Sequence, residues 1–245
     1  MPFVGNVFLL VARESQIPQW IDRSAVQVVL HQDFIPAKYL PTFNSTAIEM
    51  FIHRITGLSE EYIYFNDDFF PLMSCLPTDF FRNGQAAVSM KRHLCTFNNL
   101  FRIQTKRSDR LARQAAGIKS MFCYLRPQHT CAPMLKSVCE ELYERCSADI
   151  EASVTPLRTR KNYNQYVFTD YAFFTGHTFE QRISNRHLSL SVTSIESLTE
   201  AIVHPTHKLA CINDVNMSED KFERFHTALH SAFAKRFPHK SHFEI

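Results

Sequence analysis

Hydrophobic residues along this chain form short runs separated by polar turns, a pattern typical of an α/β protein. Near the amino terminus, three runs rich in β-branched or aromatic residues predict buried strands. These runs are Val7–Ala12, Val26–Leu30 and Tyr62–Phe65.

One helix is predicted between the second and third of these strands, over Phe43–Ile55. Apolar residues recur there at helical spacing behind a capping Asn44 or Ser45, and Gly57 follows the last turn. The strand–helix–strand order predicts an α/β sheet that is parallel at least in part. Ligands of such sheets bind beyond the carboxyl ends of the strands, where Asn66, Asp67 and Asp68 stand.

The remaining elements follow in one uninterrupted series. Asn83-Gly84 predicts a turn, and the polar stretch Asn185–Ser197 does not divide the chain, so we expect one domain over residues 1–245. The further predicted strands are Gln85–Met90, Met121–Leu125 and Leu209–Ile212, and the further predicted helices are Leu94–Lys119, Pro133–Ser147, Tyr163–Thr175 and Ser218–Phe237.

Composition narrows the classes of function. The chain is 45% hydrophobic and 21% charged, which excludes disorder for its bulk. A net charge of +3 is too small for a dedicated nucleic-acid binder, so we expect no nucleic-acid partner. Such a charge is compatible with an anionic ligand held by a few arginines and lysines. No apolar stretch reaches the length of a membrane span, so none is expected.

Cysteine usage predicts reduced, buried thiols. The chain has seven cysteines without a CxxC spacing, which argues against both a disulfide scaffold and a zinc ribbon. They are Cys75, Cys95, Cys123, Cys131, Cys139, Cys146 and Cys211.

The sharpest candidate for chemistry is the sequence Asn66-Asp67-Asp68. Two adjacent carboxylates after a hydrophobic strand suit Mg²⁺ or Mn²⁺, which keeps open positions for phosphate oxygens. The alternative is a solvated turn whose carboxylates cap the next segment. Asn213-Asp214, after the predicted strand Leu209–Ile212, shows the same pattern more weakly.

Three more residues have side chains suited to phosphate chemistry. His129 precedes a predicted helix and suits a general base or a phosphate contact, although a lone histidine is more often structural. Arg158 and Arg160 lie in a polar loop, and guanidinium groups bind phosphate oxygens well. A solvated basic loop is the alternative for this pair.

Ordered motifs run through nearly the whole chain. In the first part they are Gln16–Ile21, His31–Phe34 and the pieces LPTFNS, AIE, IHRI, GLS and IYFNDD between Leu40 and Asp68. Later they are His129–Ser137 with Arg158 and Arg160, then Cys211–Asp214 and Phe237–Glu244. Together these motifs resemble the Stealth family of sugar-phosphate transferases. That family includes bacterial capsular and exopolysaccharide enzymes and the animal N-acetylglucosamine-1-phosphotransferase.

The resemblance implies a fold and a reaction. The fold would be a Rossmann-like nucleotide-sugar transferase core with additional helices, forming a single Stealth-like phosphotransferase domain. The reaction would move a sugar-1-phosphate from a nucleotide diphosphate sugar, first of all a UDP-sugar, to a glycan acceptor hydroxyl. The setting would be the bacterial cytoplasm, with peripheral contact to a polysaccharide assembly complex at the inner membrane.

The resemblance also implies roles for individual residues. Asp67 and Asp68 would bind Mg²⁺ or Mn²⁺ or orient the attacking hydroxyl, and His129 would be the general base or a phosphate donor. Arg160, with Arg158, would hold the transferred phosphate. The pocket would be shaped by Asn44, Ser45, Glu49, His53 and Arg54 from the first helix, with Asn66, Asn213 and Asp214 on the nucleotide or acceptor side.

One family feature is missing from this chain, namely an upstream block with a Trp-Val-Asp/Asn-Gly sequence. The expectation is therefore an N-terminally incomplete domain. Two alternatives to the transferase stay open. One is a non-catalytic chain that binds a nucleotide sugar or a partner chain, and the other is a metal-dependent glycosyltransferase.

Overall fold

The computed structural model of the chain describes residues 1, 3–94, 99–119, 121–214 and 217–245, and the α/β class is confirmed. The strands are Phe8–Val11 (β1), Gln27–Leu30 (β2), Glu61–Tyr64 (β3), Phe69–Pro71 (β4), Phe81–Arg82 (β5), Gln85–Val88 (β6), Met90–Leu94 (β7), Cys123–Pro127 (β8), Ala132–Leu135 (β9), Thr178–Glu180 (β10), Asn185–Ser189 (β11) and Leu209–Asn213 (β12). The α-helices are His31–Phe34 (α1), Ser45–Glu49 (α2), Leu100–Ala115 (α3), Lys136–Ser153 (α4), Tyr166–Phe174 (α5), Ile195–Val203 (α6) and Glu219–Arg236 (α7).

The strands pair partly in parallel, as predicted. β1 with β2, β6 with β10, and β11 with β12 are parallel. β3, however, pairs antiparallel with β9, and β4 pairs antiparallel with β12. Because the described strands form small separate sheets, the Rossmann-like core stays a prediction.

The predicted helix over Phe43–Ile55 is wrong in its length. Helix α2 ends at Glu49, and a separate 3₁₀ turn covers Ile52–Arg54. Every residue from Glu49 to His53 is buried. A continuous helix would have turned one of these side chains toward solvent, so the break allows the whole run to pack in the core.

Two further boundaries differ from the predictions. The predicted helix Pro133–Ser147 begins later, because its first residues complete strand β9 beside β3. The predicted helix Leu94–Lys119 is wrong at both ends, because Leu94 completes strand β7 and α3 ends at Ala115, just before Gly117 with its positive φ. Residues 95–98, with Cys95, lie outside the described residues. The polar stretch Asn185–Ser197 contains strand β11, which sequence reasoning did not predict.

Several local predictions are confirmed. Asn83 and Gly84 both have positive φ, at 51° and 72°, and they turn the chain between β5 and β6. Such a pair of positive values is the geometry of a tight hairpin turn. The other six cysteines are buried and free, as predicted. Among the described residues, no helix combines the length and apolar character needed to cross a bilayer.

Two of the hydrophobic cores flank the strands that lead to the Asn66–Asp68 turn. In the larger core, helix α5 packs between α3 and α4, with Val167 and Tyr171 almost fully buried. The second core lies between the β11–β12–β4 sheet and the helices α6 and α7. Strand β12 is buried from Leu209 to Ile212 and therefore forms a fixed element beside β4.

The larger core also contains a charged cluster between α3 and α5. Arg113 Nε donates to Asp109 Oδ2 at 2.8 Å, and both residues are buried. Asp170 on α5 is fully buried nearby, and neither of its carboxylate oxygens has a hydrogen-bond partner among the described residues. Burial and the neighbouring Asp109 carboxylate raise the pKa of Asp170 well above its usual range, with Arg113 opposing.

We expect Asp170→Asn to stabilise the protein at neutral pH. A raised pKa means that the folded state holds this proton more tightly, so wild-type stability falls as the pH rises above about 4, the usual aspartate value. The loss is at most about 1.4 kcal/mol per pH unit, and the variant lacks it. Urea unfolding between pH 5 and 8 measures both slopes.

The matched control for this substitution is Asp149→Asn, at an exposed position on α4. The control should reproduce the wild-type dependence on pH. A parallel loss of stability in wild type and Asp170→Asn would contradict the assignment.

Candidate active site

The Asn66–Asp68 segment is a turn between two strands that belong to different sheets. β3 enters the turn from its pairing with β9, and β4 leaves it along β12. The Phe69 N–H donates to the Asn66 carbonyl at 3.2 Å, and the Ile212 N–H donates to the Asp68 carbonyl at 2.8 Å. The backbone at Asp68 is thereby fixed against the end of β12.

The Asp68 carboxylate has one satisfied and one unsatisfied oxygen. The Cys211 thiol donates to Asp68 Oδ2 with 3.2 Å between the heavy atoms. Asp68 Oδ1 is buried and has no hydrogen-bond partner among the described residues. A buried carboxylate oxygen without a partner is costly, so Asp68 Oδ1 is a candidate ligand for a cation or a substrate group.

His129 follows strand β8 and lies in an aromatic pocket. The Phe69 and Phe101 rings lie 5.2 and 6.4 Å from the imidazole, centroid to centroid. The Tyr166 hydroxyl lies 3.4 Å from Nδ1, and Asn185 donates to the backbone carbonyl of His129 at 2.9 Å. Burial lowers the pKa of His129, although the Asp68 carboxylate opposes the shift, so a neutral imidazole is favoured at neutral pH.

Asp68 and His129 come together with a third side chain, that of Cys211. One ligand atom from each residue lies within 4.8 Å of the other two. The three residues come from three distant parts of the chain, and the pairing of β4 with β12 brings Asp68 beside Cys211.

Asn213 and Asp214 leave β12 at this same point. Cys211 lies opposite Phe69 in the ladder, so the residues that follow it run beside the Asn66–Asp68 turn. The Asn213 carbonyl accepts a hydrogen bond from the Leu190 N–H at 2.8 Å, which ties its backbone to the end of β11. The two segments that share the Asn-Asp pattern therefore lie side by side, and the binding roles of Asn213 and Asp214 remain predictions.

The residues predicted from the first helix fall into two groups. Asn44 caps α2, accepting from the Thr46 N–H at 3.2 Å and donating to the Thr155 carbonyl at 3.0 Å. Ser45 accepts a hydrogen bond from Arg158. His53 is buried in the larger core, 5.0 Å from the Tyr143 ring, and Arg54 is exposed against Phe51.

These contacts distinguish the roles open to the first-helix residues. Asn44 uses both ends of its amide within the protein, and burial lowers the pKa of His53 to about 4. No hydrogen bond in the described part of the chain links His53 or Arg54 to Asp68 or His129. Their substrate-binding roles remain predictions.

Glu49, the last residue of α2, is buried against the start of α5. It accepts a hydrogen bond from the Gln165 N–H at 2.8 Å. Burial raises its pKa to about 7, although that hydrogen bond and the Arg158 charge oppose the rise. Tyr64 lies near the charges of Glu49, Asp67 and Asp68, so this carboxyl borders the acidic turn.

The two predicted phosphate-binding arginines differ in their surroundings. Arg158 reaches Ser45 and lies near Glu49 and Tyr64, which places it at the border of the site. Arg160 is exposed on the following turn. No hydrogen bond or ion pair joins Arg160 to Asp68 or His129 within the described residues, and its role remains a prediction.

Sequence reasoning assigned no role to four side chains that the structure places around Asp68 and His129. The sequence predicts Cys211 only as a buried thiol, and His187 lies 6.2 Å from His129, centroid to centroid, in a polar stretch for which no strand is predicted. Only the place of Cys211 directly before Ile212-Asn213-Asp214 gave a local signal. The other two residues are Phe101 and Tyr166.

The donor chemistry of the turn is compatible with the predicted hard cation. Asp67 is exposed and Asp68 carries the unsatisfied oxygen, so the turn offers carboxylate ligands of the kind that Mg²⁺ and Mn²⁺ prefer. Magnesium is commonly held by one or two carboxylates, with substrate phosphates completing its coordination.

We expect Glu49 to titrate near pH 7 in the folded protein, because burial disfavours its charged form. Infrared difference spectra are recorded between pH 5 and 9 in the Asp170→Asn background, which lacks the other buried carboxyl with a raised pKa. They should show a carboxyl band that is lost near pH 7 and is absent when Glu49→Gln is added. The exposed Glu61→Gln variant is the control and should keep the band. Persistence of the band in Glu49→Gln would refute the assignment.

Comparison with known proteins shows what part of this chain resembles. Residues 1–89 match the family described as Stealth protein CR2, conserved region 2. This stretch includes α2, β3 and the Asn66–Asp68 turn. The acidic turn of the candidate site thus lies within the matched region.

Similar curated proteins carry consistent names. The chain is 29% identical to an exopolysaccharide phosphotransferase of Lactiplantibacillus plantarum, covering 99% of this chain and 81% of that protein. It is 32% identical to a capsular polysaccharide phosphotransferase of Actinobacillus suis, covering 67% of this chain and 45% of that protein. A capsular polysaccharide phosphotransferase of Actinobacillus pleuropneumoniae is 34% identical over 61% of this chain and 43% of its own length. The matches to the two Actinobacillus proteins thus span less than half of their length.

Proposed function

We propose that the chain transfers a sugar-1-phosphate from a nucleotide diphosphate sugar to a hydroxyl of a glycan acceptor, in capsular or exopolysaccharide biosynthesis. The observation that carries this proposal is the placement of Asp68 beside His129, at the point where the acidic turn meets the end of β12. The names of the relatives support the same reaction class. A UDP-sugar is the first donor to test.

His129 is the general base in this proposal. The acceptor hydroxyl attacks the phosphorus that bears the sugar and forms a new P–O bond, while its proton passes to the neutral imidazole. The P–O bond to the bridging oxygen breaks, and the nucleoside monophosphate leaves. Burial keeps the imidazole neutral, and the Tyr166 hydroxyl near Nδ1 helps to fix its orientation.

The other site residues bind and orient the substrates. Asp67 and Asp68 would hold Mg²⁺ or Mn²⁺, an ion that neutralises phosphate charge. Arg158 and Arg160 bind the transferred phosphate from the loop after α4, since guanidinium groups make paired hydrogen bonds to phosphate oxygens. Asn66, Asn213 and Asp214 contact the nucleotide or the acceptor, while Asn44, Ser45, Glu49, His53 and Arg54 shape the pocket.

The proposed setting is the inner face of a bacterial membrane, where the chain would meet a polysaccharide assembly complex peripherally. This part of the proposal rests on the bacterial relatives and their role in capsule or exopolysaccharide biosynthesis.

Nucleotide release tests the reaction. The purified chain is incubated with Mg²⁺, a panel of UDP-sugars and a short polysaccharide acceptor, and the products are separated by chromatography. We expect UMP, and a decrease of roughly 10²-fold or more in its release for both Asp68→Asn and His129→Ala. Asp149→Asn, at an exposed aspartate on α4, is the matched control and should retain wild-type activity.

Each other outcome points to a different function. Release of UDP would indicate a metal-dependent glycosyltransferase. UMP release that survives Asp68→Asn would contradict the assigned site. Failure of every donor to react with a folded chain would favour a non-catalytic protein that binds a nucleotide sugar or a partner chain.

A further inference from the structure

Asp68, His129 and Cys211 offer one oxygen, one nitrogen and one sulfur to a common centre. Their ligand atoms lie within 4.8 Å of one another. In a tetrahedral zinc site the ligand atoms are about 3.5 Å apart, so small side-chain rotations would close the gap of about 1 Å. The Cys211 sulfur and Asp68 Oδ2 are already 3.2 Å apart.

This donor set does not match the magnesium ion that the family resemblance implies. Magnesium and calcium take oxygen ligands, whereas thiolate and imidazole suit borderline cations such as Zn²⁺. A cation that used only Asp67, Asp68 and substrate phosphates would leave the Cys211 thiol without a role. The sulfur and the imidazole therefore favour a second kind of ion at Asp68.

The surrounding structure holds these three ligands in place. Asp68 directly precedes β4, Cys211 lies on the adjacent strand β12, and the hydrogen bond from the Ile212 N–H to the Asp68 carbonyl ties the two segments together. The Tyr166 hydroxyl lies at His129 Nδ1, and Asn185 holds the backbone of the same residue. Supporting contacts of this kind orient first-shell ligands in metal sites.

We propose that Asp68, His129 and Cys211 form a binding site for a borderline divalent cation of the Zn²⁺ class, with a fourth position left open. Binding breaks the Cys211 S–H bond, and the thiol proton passes to solvent while the sulfur ligates the metal as a thiolate. Because Asp68 and His129 are shared, Zn²⁺ would exclude the hard cation from this carboxylate and would engage the imidazole that acts as the general base. That last consequence rests on the proposed function, whereas metal binding itself does not.

Cobalt(II) substitution tests the site without substrate or turnover. The metal-free full chain is titrated with Co²⁺, and sulfur-to-cobalt charge-transfer absorption in the near ultraviolet is recorded. We expect this absorption in wild type, saturating at one equivalent and displaced by Zn²⁺ but not by Mg²⁺. Cys211→Ser should lose the band and weaken Co²⁺ binding by more than the roughly 10–100-fold that outer-shell changes cost.

Cys139→Ser is the matched control. Cys139 is also a buried thiol beside an oxygen, at 3.4 Å from the Tyr62 hydroxyl, but it belongs to the larger core. Its variant should keep the wild-type band. Circular dichroism establishes that both variants fold, and Asp68→Asn, which retains every thiol, should weaken Co²⁺ binding in a chain that still folds if Cys211→Ser does not.

Absence of the band from folded wild type, or a band unchanged in Cys211→Ser or lost in Cys139→Ser, would overturn the proposal. The result is independent of catalysis. A chain that binds Co²⁺ through Cys211 but releases no UMP with Mg²⁺ would support the metal site while the proposed transferase fails, and the reverse result would separate them equally well.

Discussion

The antiparallel pairing of β4 with β12 is the constraint on which the candidate active site depends. Asp68 and Cys211 are 143 residues apart in sequence, and this ladder brings them side by side. Backbone hydrogen bonds set the distance between the strands and are insensitive to side-chain identity. The buried residues of β12 then fix the ladder against the core formed with α6 and α7.

Burial gives the carboxyl groups of this chain different properties. Asp68 keeps one oxygen unsatisfied at the candidate site, Glu49 is buried beside the start of α5, and Asp170 is enclosed in the larger core. Each would cost stability as an isolated anion in a region of low dielectric. Only Asp68 lies beside an imidazole and a thiol, so the same physical cost has a chemical use there and nowhere else among these three.

The sequence predicted the features that depend on local order along the chain. Asn66–Asp68 and Asn213-Asp214 were placed after strands because a hydrophobic run followed by acidic residues is visible in a short window. The Asn83-Gly84 turn and the start of the last helix at Ser218 are predictable for the same reason, since both are set by neighbouring residues.

Features set by tertiary packing were not predictable in this way. The break between α2 and the 3₁₀ turn at Ile52 follows from burial on all sides, which a periodic pattern does not reveal. The contacts of Cys211, His187 and Tyr166 with Asp68 or His129 depend on pairings between distant segments. The His53 imidazole is a side chain that could bind a substrate, yet the fold buries it in the larger core beside Tyr143.

The position of helix α5 has a mechanical consequence. Two consecutive residues at its start contact two different parts of the site. The Gln165 N–H donates to the Glu49 carboxylate, and the Tyr166 hydroxyl lies beside His129. The next residue, Val167, is locked in the hydrophobic interior. The start of α5 therefore couples the two contacts. A change in the packing around Val167 would move the contact to Glu49 and the contact to His129 together.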